Sequence, residues 1–347
     1  MSSGQIASTS GARIAGVVSC LPSRLITNDH FLDRFGDKVH DVVKMTGVEA
    51  RHWVEDGITT SDLCAAAAER LLDGLNWERG SIDGLLFVSQ TPDYRLPATA
   101  CLLQDRLGLR AGILAFDVAL GCSGYPYGLW LAMMMLQTGA ARRILLAVGD
   151  TSSIMNDPDD RGTALLFGDA GTVTAIEATT PSADPAFFIL GTDGQGADNL
   201  IVAEGAFRKR EATGKWEGRS LDKLFMDGGE VFNFTLKAIP SLVKDTMVAA
   251  GTQVDDYDMF LFHQANAFII RHLAKKAKLP PEKVPINIDR YGNTSSATLP
   301  LLMTTDRRVE LASGQRHVAL FGFGVGYSWA AASMRIGPLR CCETITL

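Results

Sequence analysis

The stretch Ile113-Leu114-Ala115-Phe116-Asp117-Val118-Ala119-Leu120-Gly121-Cys122-Ser123-Gly124-Tyr125 sets an apolar, strand-like run just ahead of a helical pattern over 128–136. A chain that passes from a buried strand straight into a helix is making the connection of an α/β architecture. Cys122 falls at the turn between the two. There the unpaired N–H groups and the positive end of a helix favour a thiolate. The flanking glycines let the backbone turn sharply and let a substrate approach closely. Two readings fit this cysteine taken alone: a buried core residue, as free cysteines often are, or a nucleophile.

The chain has 347 residues, enough for two domains or one duplicated unit. Its 46% hydrophobic and 21% charged residues are those of an ordinary globular protein. A net charge of -6 offers no electrostatic basis for capturing nucleic acid or an anionic membrane. Apolar runs such as 144–148 fall far short of the roughly 20 residues a membrane helix needs, so no membrane insertion is expected. Residues 1–11 are polar and small, without the basic and apolar regions of a secretory signal, and read as a loose arm. The six cysteines form no spaced pair, and no histidine stands at ligand spacing from one of them. These features predict a reduced, cytoplasmic protein without structural metal. Cys341 and Cys342 are expected to be exposed thiols with no role.

The chain also repeats itself. Asp83-Gly84-Leu85-Leu86-Phe87-Val88 is echoed by Asp258-Met259-Phe260-Leu261-Phe262-His263. Ala115-Phe116-Asp117-Val118, with its glycine-flanked Cys122, is echoed by Ile286-Asn287-Ile288-Asp289 and Asn293. Arg143-Ile144-Leu145-Leu146-Ala147-Val148-Gly149 is echoed by Arg316-His317-Val318-Ala319-Leu320-Phe321-Gly322. Three echoes in one order, each displaced by about half the chain, predict a duplicated unit. Helical stretches at 61–75 and 231–249 alternate with the apolar runs, which predicts mainly parallel, buried strands. Loop residues at 156–160 mark an excursion, and those at 179–185 mark a seam. The predicted halves are 1–178, carrying the cysteine, and 179–347, carrying His263 and Asn293.

Equivalent loops of two such halves converge on one cleft, which brings Cys122, His263 and Asn293 together. Singly, His263 also reads as a structural residue at a strand end, and Asn293 as a turn residue or helix N-cap. Gly322-Phe323-Gly324-Val325-Gly326 lacks the Lys-Ser/Thr of a phosphate-binding loop and better suits a turn that aims N–H groups at an oxyanion. Together these are the parts of thioester chemistry: a thiolate nucleophile, backbone donors for a tetrahedral oxyanion, and side-chain N–H groups for an enolate.

Six motifs carry a resemblance over nearly the whole chain. They are Thr46-Gly47-Val48-Glu49-Ala50-Arg51, Gly121-Cys122-Ser123-Gly124, Arg161-Gly162-Thr163-Ala164-Leu165-Leu166-Phe167-Gly168-Asp169-Ala170-Gly171, His263-Gln264-Ala265-Asn266, Gly292-Asn293-Thr294-Ser295 and the glycine-rich 322–326. In this order the chain resembles the β-ketoacyl-acyl-carrier-protein synthase III family of the thiolase superfamily. The resemblance implies a five-layered αβαβα thiolase-like fold, a homodimer and a Cys122–His263–Asn293 triad. It implies that Cys122 takes an acyl group from a thioester and condenses it with a malonyl-type thioester that loses carbon dioxide. The N–H groups of Cys122 and Val325 would form the oxyanion hole. Phe323 would pack against the extender carboxylate, Asn266 would meet the pantetheine arm, and Arg161 would contact the nucleotide. The implied partners are thioesters of coenzyme A or acyl carrier protein, with no further cofactor.

Four positions depart from that pattern. Asp41 and Met45 stand where family members that start fatty acids clamp the coenzyme A adenine with a tryptophan and an arginine. Phe268 stands where the family has a carrier-docking arginine, with Arg271, Lys275 and Lys276 further along the same helix. Leu96 stands where an aromatic bounds the acyl pocket across the dimer. These departures point to a different or longer acyl group and to a specialised role. The alternatives are a non-decarboxylating acyltransferase acting on an alcohol or amine, or one subunit of a heterodimeric synthase.

Overall fold

The computed structural model describes residues 3–180 and 185–347, so part of the expected seam, 181–184, lies outside the described residues. The first sheet is built from Ala12–Leu21 (β2), Gly84–Val88 (β5), Leu114–Val118 (β6), Arg143–Asp150 (β7), Ala170–Ala178 (β8) and Cys341–Thr346 (β15). Its order is β15-β2-β8-β7-β5-β6. The second is built from Gln5–Thr9 (β1), Ala186–Thr192 (β9), Met259–Phe262 (β12), Arg316–Gly324 (β13) and Ser328–Ile336 (β14), in the order β1-β9-β14-β13-β12. Two ribbons stand apart: Leu25–Thr27 (β3) with Ala50–His52 (β4), and Leu200–Ile201 (β10) with Phe225–Met226 (β11).

The duplication is visible in the topology. β2-β8-β7-β5 and β9-β14-β13-β12 share both order and sense: antiparallel, antiparallel, then parallel. The sheets are therefore mixed, not mainly parallel as the alternation predicts. The reason lies in the connections. β13 returns to β14 through the glycine-rich turn with no intervening helix, and a short return of that kind imposes antiparallel pairing. The second echo also fails as structure. Residues 286–289 form no strand, and the chain turns into the short helix Ile288–Tyr291 (α9). Pro285 lacks a ladder donor, and the N–H of Asn287 is taken by Gln264 Oε1 at 3.0 Å.

Helices complete five layers. Thr60–Leu75 (α3) and Thr99–Arg106 (α4) cover the outer face of the first sheet, burying Leu63, Leu71 and Leu103 with Leu85 and Val173. Gly124–Gln137 (α5) and Thr298–Thr304 (α10) lie between the sheets, where Tyr125, Leu129 and Met303 meet Leu86, Leu146, Leu261 and Leu320. Gly228–Ala250 (α7) and Ala267–Lys276 (α8) cover the second sheet through Ile239, Leu242 and Ile270. α5 starts four residues before the sequence pattern does, because a helix between two sheets is apolar on more than one face. Among the described residues no helix is long and apolar enough to cross a membrane.

Both chain ends depart from expectation. Residues 5–9 are not a loose arm: β1 pairs antiparallel with β9 along Gln5–Thr9 and covers what would be an open sheet edge. Cys341 and Cys342 are not exposed. They lie buried in β15, which pairs parallel with β2. Successive strand residues face opposite sides, so Cys341 enters the outer core and Cys342 the central layer.

Candidate active site

Cys122 sits between the end of β6 and the start of α5, as the opening stretch predicts. It lines a cavity of about 100 Å³ with His263, Asn293, Asn266 and Phe323. Leu166, Phe167, Leu200 and Met226 add apolar wall. Gly324 lies directly beside the thiol. A Cβ built on it would stand 2.9 Å from Cys122 Cβ and 3.0 Å from Sγ, and its φ of +156° lies in territory that favours glycine.

His263 follows β12, and its main-chain N–H donates to the Phe321 carbonyl at 2.8 Å. Its Nδ1 lies 2.8 Å from Thr298 Oγ1, whose own hydrogen goes to the Ser295 carbonyl at 2.9 Å. That commitment assigns the ring proton to Nδ1 and leaves Nε2 bare in the neutral state. Phe323 meets the imidazole edge to face at 5.6 Å. Asn293 is fixed at both ends. Its N–H donates to Leu166 O at 2.9 Å, and its Oδ1 accepts from the Ser295 N–H at 2.9 Å. With Oδ1 engaged, the Nδ2 donor is the free half of this amide.

The electrostatics reverse one expectation. Burial pushes the Cys122 thiol up to about 11, and the Asp150 charge adds to the shift. The Ser295 hydroxyl and the N–H groups of Val325 and Cys122 oppose it without prevailing. In the free protein the thiol therefore keeps its proton, although a helix start alone favours thiolate. Burial pushes His263 down to about 3, against the Ser295 carbonyl, so the ring is neutral. The two backbone N–H groups that favour a charged sulfur are those expected to hold an oxyanion.

The remaining candidates scatter. Asn266 lines the cavity while its Oδ1 caps α8, accepting from Phe268 N at 2.8 Å and Ile269 N at 3.2 Å. Arg161 opens the short helix Arg161–Ala164 (α6), outside the cavity wall that begins at Leu166. Leu96 is 77% exposed and lies away from the cavity of its own chain. Asp41 and Met45 are exposed on Lys38–Thr46 (α2), and Phe268 is exposed on α8, stacked on Phe232 at 6.1 Å. Arg271, Lys275 and Lys276 are exposed on the same helix. Sequence reasoning passed over Thr298, Ser295 and Asp150. The hydroxyl run after Asn293 was the available signal for the first two. Asp150, the last residue of β7, had none.

Two family models match the chain. The description 3-oxoacyl-[acyl-carrier-protein (ACP)] synthase III covers residues 116–194, and its C-terminal counterpart covers 247–336. The chain is similar to a β-ketoacyl-[acyl-carrier-protein] synthase III of Alkalilimnicola ehrlichii, with 37% identity over 93% of this chain and 99% of that one. Its fold is similar to the crystal structure of a 3-oxoacyl-(acyl-carrier protein) synthase from Burkholderia xenovorans LB400. There the TM-score is 0.98 and the identity 56%, over 99% of both chains. The priming β-ketosynthase of the R1128 polyketide pathway gives a TM-score of 0.83 and 25% identity, over 94% of this chain and 97% of that one.

Proposed function

The chain belongs to the 3-oxoacyl-[acyl-carrier-protein] synthase III family of condensing acyltransferases, and from that premise we propose that Cys122, His263 and Asn293 perform its chemistry. Cys122 attacks the carbonyl of an acyl thioester, and the N–H groups of Cys122 and Val325 hold the tetrahedral oxyanion. The donor thiol leaves with a proton, and the acyl group stays on sulfur. A malonyl-type thioester then enters along the cavity, its pantetheine arm meeting Asn266. As its carboxylate departs as carbon dioxide, charge builds on the thioester oxygen. Asn293 Nδ2 donates to that oxygen. His263 donates once Nε2 is protonated, which the incoming carboxylate favours by raising a pKa that burial alone depresses. Phe323 keeps the carboxylate poorly solvated. The carbanion attacks the acyl-cysteine, the carbon–sulfur bond breaks, and a β-ketoacyl thioester leaves. The reaction as written needs thioesters and side chains alone.

The observation that supports this most directly is the convergence of Cys122, His263, Asn293 and Phe323 on one cavity. We extend the reading to a cytoplasmic homodimer in which the exposed Leu96 of each copy bounds the acyl pocket of the other. Arg161 and the α8 cations then meet the nucleotide or an acidic carrier protein. Leu96, Asp41, Met45 and Phe268 favour a longer or differently delivered acyl group than short primers, and a role outside housekeeping initiation. The test is intact-mass measurement after incubation with acyl-coenzyme A and acyl-carrier-protein panels, run beside carbon dioxide release from labelled malonyl thioester. Cys122→Ala is expected to abolish the adduct. Asn293→Ala is expected to load normally and to release carbon dioxide at least 10²-fold more slowly. Normal release from Asn293→Ala would remove it from the triad, and a wild-type adduct without release would make the protein a simple acyltransferase.

A further inference from the structure

Beneath the nucleophile lies a carboxylate that the chemistry above does not use. Asp150 ends β7 and is 1% exposed. Its Oδ1 accepts from Gln90 N at 2.6 Å, Ser89 Oγ at 3.0 Å and Thr91 Oγ1 at 3.4 Å. Its Oδ2 is equally buried and has no hydrogen-bond partner among the described residues. A buried carboxylate oxygen left open in this way is costly and calls for an explanation. The Ser295 side chain interacts with this carboxylate and favours its charged form, and the Ser295 hydroxyl lies 4.0 Å from Cys122 Sγ. Ser295 is held there at a φ of +53°, an uncommon conformation for a residue with a side chain.

We propose that Ser295 and Asp150 form a proton relay for acyl loading, with Asp150 acting through Ser295 as the base that Cys122 requires. This rests on the reading of Cys122 as the acyl acceptor. As sulfur bonds to the thioester carbonyl carbon, the thiol proton passes to Ser295 Oγ and the Ser295 hydroxyl proton passes to Asp150 Oδ2. When the carbon–sulfur bond to the donor breaks, the path runs backward and the proton goes to the departing thiolate. No net charge is left behind.

The competing base is His263 Nε2, and the electrostatics disfavour it. Burial holds Asp150 up at about 6 and His263 down at about 3, so the carboxylate is the better proton acceptor in the free protein. The titratable groups that interact with Asp150 are Asp169 ahead of β8, Cys64 on α3 and Cys122 itself. The two thiols are raised and stay neutral where the carboxylate titrates, so burial is what holds Asp150 up. The relay also divides labour: Asp150 serves loading, and His263 is left for decarboxylation.

The experiment measures the Cys122 acylation rate by mass spectrometry from pH 4.5 to 9. Wild type is expected to show a rising limb with its midpoint near the Asp150 value. Asp150→Asn, nearly isosteric, and Ser295→Ala are each expected to lose that limb and to load 10²-fold or more slowly at pH 7. His263→Ala is expected to keep it. Placed in the Cys122→Ala background, Asp150→Asn is expected to leave malonyl decarboxylation unchanged, which a merely structural lesion would not do. The relay is overturned if Asp150→Asn loads with the wild-type profile, if the limb follows His263, or if decarboxylation falls along with loading. Absence of any adduct in wild type would instead sink the reading of Cys122 itself.

Discussion

His263 is held by its Nδ1 contact to Thr298, inside a cavity that denies its ring a charge. Its folded pKa of about 3 lies below the value of about 6.5 for a solvated histidine. Between these values the unfolded chain binds a proton that the folded chain refuses, so folding stability drops as pH falls through that window. Asp150 and Asp169 act in the opposite sense. Burial raises both to about 6, the folded state binds protons first, and their contribution to stability declines as pH rises from 4 toward 6. His263→Gln removes the histidine contribution alone. Its urea-unfolding free energy is expected to fall about 3 kcal/mol less than that of wild type between pH 7 and pH 4.5. Equal acid losses in the two proteins would show that the ring charges in place. Cys122 and His263 were legible in the chain because each follows an apolar run at a polar turn, and Asn293 because its glycine-led turn echoes that of the cysteine. Thr298 was signalled only by the hydroxyl run after Asn293, and Asp150 by nothing, since an aspartate at a strand end follows no pattern until tertiary structure aims it.

The strand β6 raises the question of what covers a sheet edge. Among the described residues it pairs only with β5, and it carries Leu114 and Phe116, 41% and 38% exposed. An open edge with apolar side chains is a template for another strand, and in the proposed homodimer the same β6 of a second copy is expected to cover it by antiparallel addition about a two-fold axis. Phe116→Lys places a charge on that edge. By light scattering after gel filtration it is expected to halve the mass from two chains to one, with far-ultraviolet dichroism unchanged. A mass that stays at two chains would move the interface elsewhere. Strands such as β5 and β7 were legible because their residues are buried on both faces and read as unbroken apolar runs. The antiparallel sense of β8 and β14 was hidden, since it is set by the connections, a long excursion through α6 before β8 and a short glycine-rich return before β14, rather than by apolar pattern.

The molecule is duplicated, and its halves exchange edge strands. β1, from the first half of the chain, closes the second sheet, and β15, from the end of the chain, closes the first. The central layer is likewise shared: Tyr125 and Leu129 of α5 and Leu302 and Met303 of α10 belong to one core with strands of both sheets. A division at 1–178 and 179–347 cuts across these shared elements. It would strip each sheet of an edge strand and open the largest shared apolar surface to water. Unfolding is accordingly expected as one transition in scanning calorimetry, with equal calorimetric and van't Hoff enthalpies for the folded unit. Residues 1–178 expressed alone are expected to be insoluble or molten. Two resolved transitions, or a soluble first half with native dichroism, would show that the crossed strands and the shared layer contribute little, and that each half keeps a sufficient core of its own.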